Sequence, residues 1–172
     1  MRPFAVADAK EVQRLAGDRL IAATTAAIPH PYEDGMAESW IATHAEQLEK
    51  DTGVHFAVTL AASGELIGAC GLMVTRQHEH AELGYWIARA RWGSGYCTEA
   101  AEAVVQYGFG ELKLRRIFCH HMTKNAASGR VMQKLGMTHE GSLRKHFRKW
   151  DVFEDVEAYG LLASEWSARK VL

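Results

Sequence analysis

The sequence predicts one mixed α/β domain of the α+β type, with a sheet flanked by helices across residues 1–172. Three observations predict it. A chain of 172 residues has the length of one domain with one core. Runs rich in β-branched residues alternate with segments of helical periodicity, which is the pattern of a sheet covered by helices. All three prolines lie at or before residue 31, so the rest of the chain is free to be regular.

The first part of the chain predicts two helices. Asp8 followed by Glu11 has the spacing of a capping box, and apolar residues then recur on one face, so a first helix starts there. The segment 28–32 contains two prolines, and each biases the residue before it to extended geometry. After this break Asp34 is placed to cap a second helix that runs to about Lys50.

Three strands are predicted next. Residues 55–60 and 66–75 are rich in β-branched and apolar side chains, and Ser63 and Gly64 between them are a turn signal. These two runs therefore predict an antiparallel hairpin. Residues 79–87 make a third run of the same kind.

The second half of the chain predicts a helix, a strand, a short helix and two final strands. In order, these elements cover residues 97–112, 116–122, 125–135, 137–143 and 152–162. Asn125 is placed to cap the short helix, and Gly136 stands where a left-handed residue usually ends one.

The bulk composition excludes several classes of protein. Formal net charge is -1, so no global basic field is available, a nucleic-acid partner is not expected, and any anion site must be local. No segment resembles a signal peptide or a membrane-spanning helix, so no membrane partner is expected. Cys70, Cys97 and Cys119 lie in apolar runs, which indicates buried thiols in a reducing compartment and predicts a cytoplasmic protein.

Two groups of polar residues have a plain structural interpretation. The histidines at 78, 80, 120 and 121 lie in closely spaced pairs without nearby Cys or Asp ligands, so they are interpreted as strand residues and no metal is predicted. The basic run 144–149 is interpreted as a solvated loop, with an acidic partner or RNA as the alternative.

The segment between the third predicted strand and the long helix carries the clearest chemical signal. Gly93 and Gly95 remove side chains where the strand turns into the helix, so a ligand can approach the backbone N–H groups at the positive end of the helix dipole. This predicts a phosphate cradle, with a simple tight turn as the alternative.

The segment from Trp92 to Ala100 resembles the acyl-CoA loop of the GNAT superfamily of N-acetyltransferases, and especially its RimJ/RimL-like branch, which acetylates ribosomal-protein N-termini. Six further motifs resemble that branch in the same order. They are Pro29-His30-Pro31-Tyr32, Asn125-Ala126-Ala127-Ser128, Lys134-Leu135-Gly136-Met137, Glu140-Gly141-Ser142-Leu143-Arg144, Trp150-Asp151-Val152-Phe153 and Glu165-Trp166.

The resemblance implies a mostly antiparallel GNAT sheet that is splayed between its fourth and fifth strands. It implies transfer of acetyl from acetyl-CoA to a primary amine by direct attack in a ternary complex, without a metal. The acceptor is left open between a protein N-terminal α-amine and a small-molecule amine such as an amino acid, polyamine or antibiotic. A non-catalytic acyl-CoA-binding module is the alternative from another class, and a homodimer is left open.

The resemblance also assigns the residues expected to bind acetyl-CoA. They are Tyr85, Trp86, Ile87, Arg89, Arg91, Trp92, Gly93, Ser94, Gly95, Tyr96, Asn125 and Ser128. Two departures from the family pattern stand out. Ala90 replaces the usual Gln or Arg at the first loop position, so either Arg89 or Arg91 must supply that contact. The chain also begins at the end of the usual first strand, which is therefore expected to be truncated or absent.

Two residues are candidate catalytic groups. Glu82 stands where histone-type members carry their catalytic glutamate, with a solvated or salt-bridged carboxylate as the alternative. Met132 occupies the place of the tyrosine that protonates the leaving thiolate in many members, so Ser128 is the candidate donor, or else only supports the helix start. Tyr32 and Trp40 either line an acceptor pocket, together with Glu82, or pack in the core.

Overall fold

A seven-stranded sheet lies at the centre of the computed structural model, which describes residues 1–169. In chain order the strands are β1 (Arg2–Pro3), β2 (Gly53–Thr59), β3 (Leu66–Thr75), β4 (His80–Ile87), β5 (Arg116–Met122), β6 (Thr138–Lys149) and β7 (Val152–Leu162). In the sheet they are ordered β1-β2-β3-β4-β5-β7-β6. The helices are α1 (Ala9–Ala16), α2 (Arg19–Thr24), α3 (Met36–Glu49), α4 (Tyr96–Gly110), α5 (Ala126–Lys134) and α6 (Ala163–Arg169).

The sheet is antiparallel except between β4 and β5, which run parallel. These two strands pair only from His80 opposite Arg116 to Glu82 opposite Phe118. Beyond Glu82 the remainder of β4 has no partner in β5, because β5 pairs there only with β7. The predicted mixed sheet with a splay between the fourth and fifth strands is therefore confirmed.

The predicted hairpin, the strand 116–122, the short helix after Asn125 and the strand 152–162 are also found, with ends shifted by at most a few residues. The truncated first strand is present as β1, which pairs through Arg2 with Ala57 on β2.

The two side-chain caps predicted in the first part of the chain, at Asp8 and Asp34, are wrong. The Asp8 carboxylate accepts two hydrogen bonds from the guanidinium of Arg2, each 2.7 Å long, and makes no side-chain bond to the first turn of α1. Asp34 accepts a hydrogen bond of 2.8 Å from Gln13. The residue before α3 is Gly35, which has a φ of +82° and no side chain to cap the helix. An ion pair or a glutamine from another segment competes successfully for such exposed carboxylates, which sequence spacing alone does not reveal.

Three further differences concern whole segments. α2 was not predicted, although Asp18 caps it by accepting from the N–H of Leu20 at 2.8 Å. α6 was not predicted either. The basic run 144–149, interpreted as a loop, belongs to β6, with a register shift between Leu143 and Phe147. A charged, irregular strand at a sheet edge is a usual protection against edge-to-edge pairing.

The core lies in two clusters on opposite faces of the sheet. The larger one joins α4, α5 and α6 to the central strands, with Leu72 and Val104 fully buried in it. The smaller one lies under α1 and α3 around Val12 and Ile41. Consecutive residues of β4 divide between them, since Tyr85 packs on the larger cluster and Trp86 on the smaller. No helix within residues 1–169 combines the length and apolar character needed to cross a bilayer.

Candidate active site

The loop between β4 and α4 ends in an exposed helix N-terminus. Gly93 and Gly95 have φ of +76° and +85°, in the left-handed region that favours glycine. Gly95 is the N-cap and offers no side chain to the first turn, so the N–H groups of Tyr96, Cys97 and Thr98 have no intrahelical acceptor. A Cβ added at either glycine would meet no atom within 4 Å, so the space beside this backbone is open. An anion can reach the positive end of the α4 dipole here.

The rest of this loop is tied to the sheet. The indole Nε1 of Trp92 donates to the carbonyl of Ile87 at 2.7 Å, and Arg91 forms an ion pair with Glu65 at 2.9 Å. Arg89 is exposed and has no ion-pair partner within residues 1–169. Of the two arginines beside Ala90, Arg89 is thus the one without an ion pair within residues 1–169. Ser94 is exposed, and Tyr96 packs partly against the larger core cluster.

The unpaired edge of β4 presents the backbone of alternate residues. The thiol of Cys119 on β5 reaches the Leu83 carbonyl at 3.0 Å, so the carbonyls of Leu83, Tyr85 and Ile87 point to the open side. The carbonyl of Trp86 points the other way, toward β3. A Cβ added at Gly68 on that strand would lie 2.3 Å from the Trp86 carbonyl oxygen. The backbone contact expected of Trp86 is therefore not available at the splay, whereas that of Tyr85 is. The Ile87 carbonyl already accepts from Trp92 Nε1, which leaves the N–H of Ile87 on this edge.

Ser128 lies in the first turn of α5 and contacts β4. Its Oγ is 2.8 Å from the phenolic oxygen of Tyr85, and its backbone N–H donates to Oδ1 of Asn125 at 3.3 Å. Asn125 also donates from Nδ2 to the carbonyl of Thr24 at 3.4 Å, so its side chain already binds protein on both sides. Met132 is fully buried and carries no hydroxyl. The phenolic hydroxyl beside Ser128 belongs instead to Tyr85 of β4.

Burial controls the protonation of the groups under this edge. It raises the pKa of Tyr85 far above its usual range, more than the Ser128 bond lowers it, so the phenol stays protonated. Burial also raises the pKa of Cys97 to about 12 and that of the Cys119 thiol still further. These thiols are protonated and are poor nucleophiles.

Glu82 lies where the splay begins and is hydrogen-bonded to a histidine of β5. Its Oε1 is 3.1 Å from Nδ1 of His120, and the two side chains are 31% and 16% exposed. Alternation along β4 places Glu82 on the Trp86 face, opposite the face of Tyr85 and Ser128. The two candidate catalytic residues thus flank the splay from opposite faces of the sheet. Sequence reasoning missed the contact with His120, because the parallel register that brings it near Glu82 is a long-range property.

The two candidate acceptor residues lie in the smaller core cluster. Trp40 packs edge-on against Phe4 and His44, with ring centroids 5.0 and 4.5 Å apart. Tyr32 packs partly against the same cluster, and its backbone carbonyl accepts from Gln13 at 3.2 Å. Both side chains have clear packing roles, and neither makes a hydrogen bond or ring contact to Glu82.

The other histidines singled out in the sequence are strand or turn residues. His121 is buried and its Nδ1 lies 2.9 Å from the Met122 carbonyl, while His78 and His80 contact each other. Within residues 1–169 no three His, Cys, Asp or Glu side chains are grouped as metal ligands would be.

Comparison with known proteins adds the following. A family model described as an acetyltransferase (GNAT) domain matches residues 1–138. The probable N-acetyltransferase YjcK of Bacillus subtilis is 38% identical over 124 residues, which are 71% of this chain and 68% of that protein. The putative ribosomal N-acetyltransferase YdaF of the same organism is 29% identical over 140 residues, covering 81% of this chain and 73% of that protein.

Among solved structures, spermidine N-acetyltransferase from Vibrio cholerae in complex with CoA and spermine superposes with a TM-score of 0.83 over 96% of each chain. At 23% sequence identity this similarity concerns the fold alone.

Proposed function

This chain belongs to the GNAT family of N-acetyltransferases, and we propose that it transfers acetyl from acetyl-CoA to a low-pKa primary amine by direct attack in a ternary complex. The whole chain, residues 1–172, is taken as one catalytic domain. The observation that carries the proposal is the continuity between the unpaired edge of β4 and the open N-terminus of α4. Together they make a site that is long, polar on its backbone side and anion-binding at one end.

The open loop fits the pyrophosphate of acetyl-CoA. Glycines of positive φ, three unbonded N–H groups and the exposed cation Arg89 coincide there. The pantetheine arm extends along the free edge of β4, where Tyr85 presents its N–H and carbonyl and Ile87 presents its N–H. One of these N–H groups polarises the thioester carbonyl, since acyl transfer needs a fixed donor for the developing oxyanion.

The leaving thiolate is protonated on the Ser128 side of the sheet. Burial keeps Tyr85 protonated, and its hydroxyl lies 2.8 Å from Ser128 Oγ and 3.3 Å from the Ser128 carbonyl. In this proposal the phenol donates to Oγ, which leaves the hydroxyl proton of Ser128 for the sulfur. Asn125 caps α5 and fixes the turn that carries Ser128. Its role in this proposal is support of Ser128, with direct binding of the pantetheine amides as the alternative.

The acceptor amine enters from the Glu82 side. Holding a lysine-like amine neutral at pH 7 costs about 4.6 kcal/mol, whereas an α-amine costs about 1.4 kcal/mol. We therefore favour an α-amine, as in the RimJ/RimL-like branch, over a polyamine, and the similarity to YdaF supports this choice.

A panel of amines tests the proposal. Release of free thiol from acetyl-CoA is measured with peptides bearing free N-termini, amino acids, spermidine and an aminoglycoside as acceptors. We expect turnover with at least one α-amine acceptor and weaker turnover with spermidine. Tight binding of coenzyme A without thiol release for every acceptor would support the non-catalytic binding module instead. Preference for spermidine over all α-amines would contradict the assigned acceptor class.

A further inference from the structure

His120 on β5 is held by a hydrogen bond at the mouth of the splay. Its Nδ1 lies 3.1 Å from Oε1 of Glu82, the last residue of β4 that pairs with β5. His120 stands two residues beyond Phe118, the partner of Glu82, and therefore on the same face of the sheet. The strand register, rather than a flexible loop, sets this contact.

The hydrogen bond determines which nitrogen of the imidazole carries the proton. A carboxylate only accepts hydrogen bonds, so Nδ1 of His120 is the donor, and in the neutral ring Nε2 bears the free lone pair. Nε2 has no hydrogen-bond partner within residues 1–169. A positioned imidazole whose second nitrogen is bound to a carboxylate is the usual arrangement of a general base.

The surroundings of His120 restrict its ring and leave it accessible. The rings of Phe118, His146 and Phe147 lie 5.6, 5.7 and 6.2 Å from it. The side chain is 16% exposed, whereas Glu82 already uses one oxygen for this bond. Oε2 of Glu82 is likewise unbonded within residues 1–169, but the ring of His120, bonded at Nδ1 and packed against three other rings, gives its Nε2 the more fixed direction.

We infer that His120 is the catalytic residue that removes the proton from the acceptor amine, and that Glu82 is a positioning residue that orients its ring. This rests on the proposed function. As the amine nitrogen bonds to the thioester carbonyl carbon and the C–S bond breaks, one N–H proton passes to Nε2 of His120, directly or through one water. The sulfur receives a proton from Ser128. His120 then releases its proton to solvent and Ser128 regains one, which leaves the amide and the free thiol.

The test uses variants that separate the base from the hydrogen bond. In His120→Asn the side-chain amide keeps a donor near the position of Nδ1 but provides no Nε2. We expect kcat to fall by about 10²-fold or more, with coenzyme A affinity by calorimetry unchanged within about twofold. Glu82→Gln should lower kcat by about tenfold alone and by nothing further in the His120→Asn background, because it acts through His120.

The matched control is His139→Asn, since His139 also pairs with a glutamate, Glu157, at 2.6 Å on a more exposed part of the sheet. It should keep the wild-type kcat.

If His120→Asn does not bind coenzyme A, His120→Gln is judged by the same criteria. A His120 variant within about threefold of the wild-type kcat would overturn the inference, as would a further tenfold loss from Glu82→Gln in the double variant. A wild type inactive with every acceptor would overturn the proposed function, and the inference with it.

Discussion

The phenolic oxygen of Tyr85 lies 2.8 Å from the hydroxyl oxygen of Ser128, so a residue of β4 and a residue of α5 share one hydrogen bond beside the splay. Because burial keeps Tyr85 protonated, the phenol retains a proton that reaches both Ser128 Oγ and the Ser128 carbonyl, which lies 3.3 Å away. When the phenol donates to Oγ, as the proposed function requires, Ser128 has its own proton free for another acceptor. The pair supplies a directed hydroxyl although α5 carries methionine at position 132.

Replacing Ser128 tests whether that hydroxyl protonates the thiolate. Ser128→Ala should lower kcat by about 10²-fold or more, the range of one acid-base group, and leave acetyl-CoA affinity nearly unchanged. Steady-state kinetics and calorimetry measure the two quantities. Full activity in this variant would return the role to solvent or to another hydroxyl.

Replacing Tyr85 tests whether the phenol acts through Ser128. Tyr85→Phe keeps the ring and should lower kcat by about tenfold, and it should cause no further loss in the Ser128→Ala background. Tyr107→Phe is the matched control, because Tyr107 lies near the far end of α4 and packs against Phe56. Additive losses in the double variant would show that the two hydroxyls act independently.

The loop before α4 provides the sharpest test of donor binding. Gly95→Glu introduces bulk and negative charge into the open space beside the backbone, and should reduce coenzyme A binding below detection. Gly64→Glu is the control, since Gly64 has a similar φ of +73°, an equally open surrounding and a place in the β2–β3 turn. Equal affinity of both folded variants for coenzyme A would contradict the assigned cradle.

The sequence predicted the features that local patterns determine. The hairpin follows from β-branched runs around a Ser-Gly turn, and the short helix follows from a cap at Asn125 and a left-handed residue at Gly136, whose φ is +74°. Gly93 and Gly95 likewise lie where the strand turns into the helix, as predicted. Each of these depends on residues close together in the chain.

The features that were missed depend on distant segments. Asp8 bonds to Arg2 rather than to α1, and the contact between Glu82 and His120 exists only because β4 and β5 pair in one register. The orientation of the Trp86 carbonyl toward β3 is also a matter of register. Strand register is set by the assembled sheet, so a single sequence does not reveal it.

Activity should be independent of metal ions. The proposed oxyanion donor is a backbone N–H group, and residues 1–169 contain no group of three potential ligands. Incubation with EDTA followed by removal of the chelator should leave kcat unchanged. Loss of turnover that a divalent ion restores would show that one of the histidine pairs binds a metal.

His44 should make the fold less stable in mild acid. Both of its ring nitrogens are buried without a hydrogen-bond partner in the described part of the chain, residues 1–169, and its ring stacks on His55 at 4.5 Å. Burial, and secondarily the charge of His55, lowers the pKa of His44 from 6.5 to about 4. Between these values the unfolded chain binds a proton that the folded chain does not, so the free energy of unfolding decreases as pH falls through this window.

His44→Phe removes this proton uptake and the unpaired nitrogens while keeping a ring against Trp40. The free energy of unfolding of the variant minus that of the wild type should be about 1 kcal/mol larger at pH 5 than at pH 7. This is about half of what the full pKa difference gives, because the ring of His44 is partly exposed. Urea denaturation at both pH values measures the difference, with the exposed His78→Phe as a control that should follow the wild type. An equal loss of stability in His44→Phe and the wild type between pH 7 and pH 5 would show that His44 protonates as readily in the folded state as in the unfolded chain.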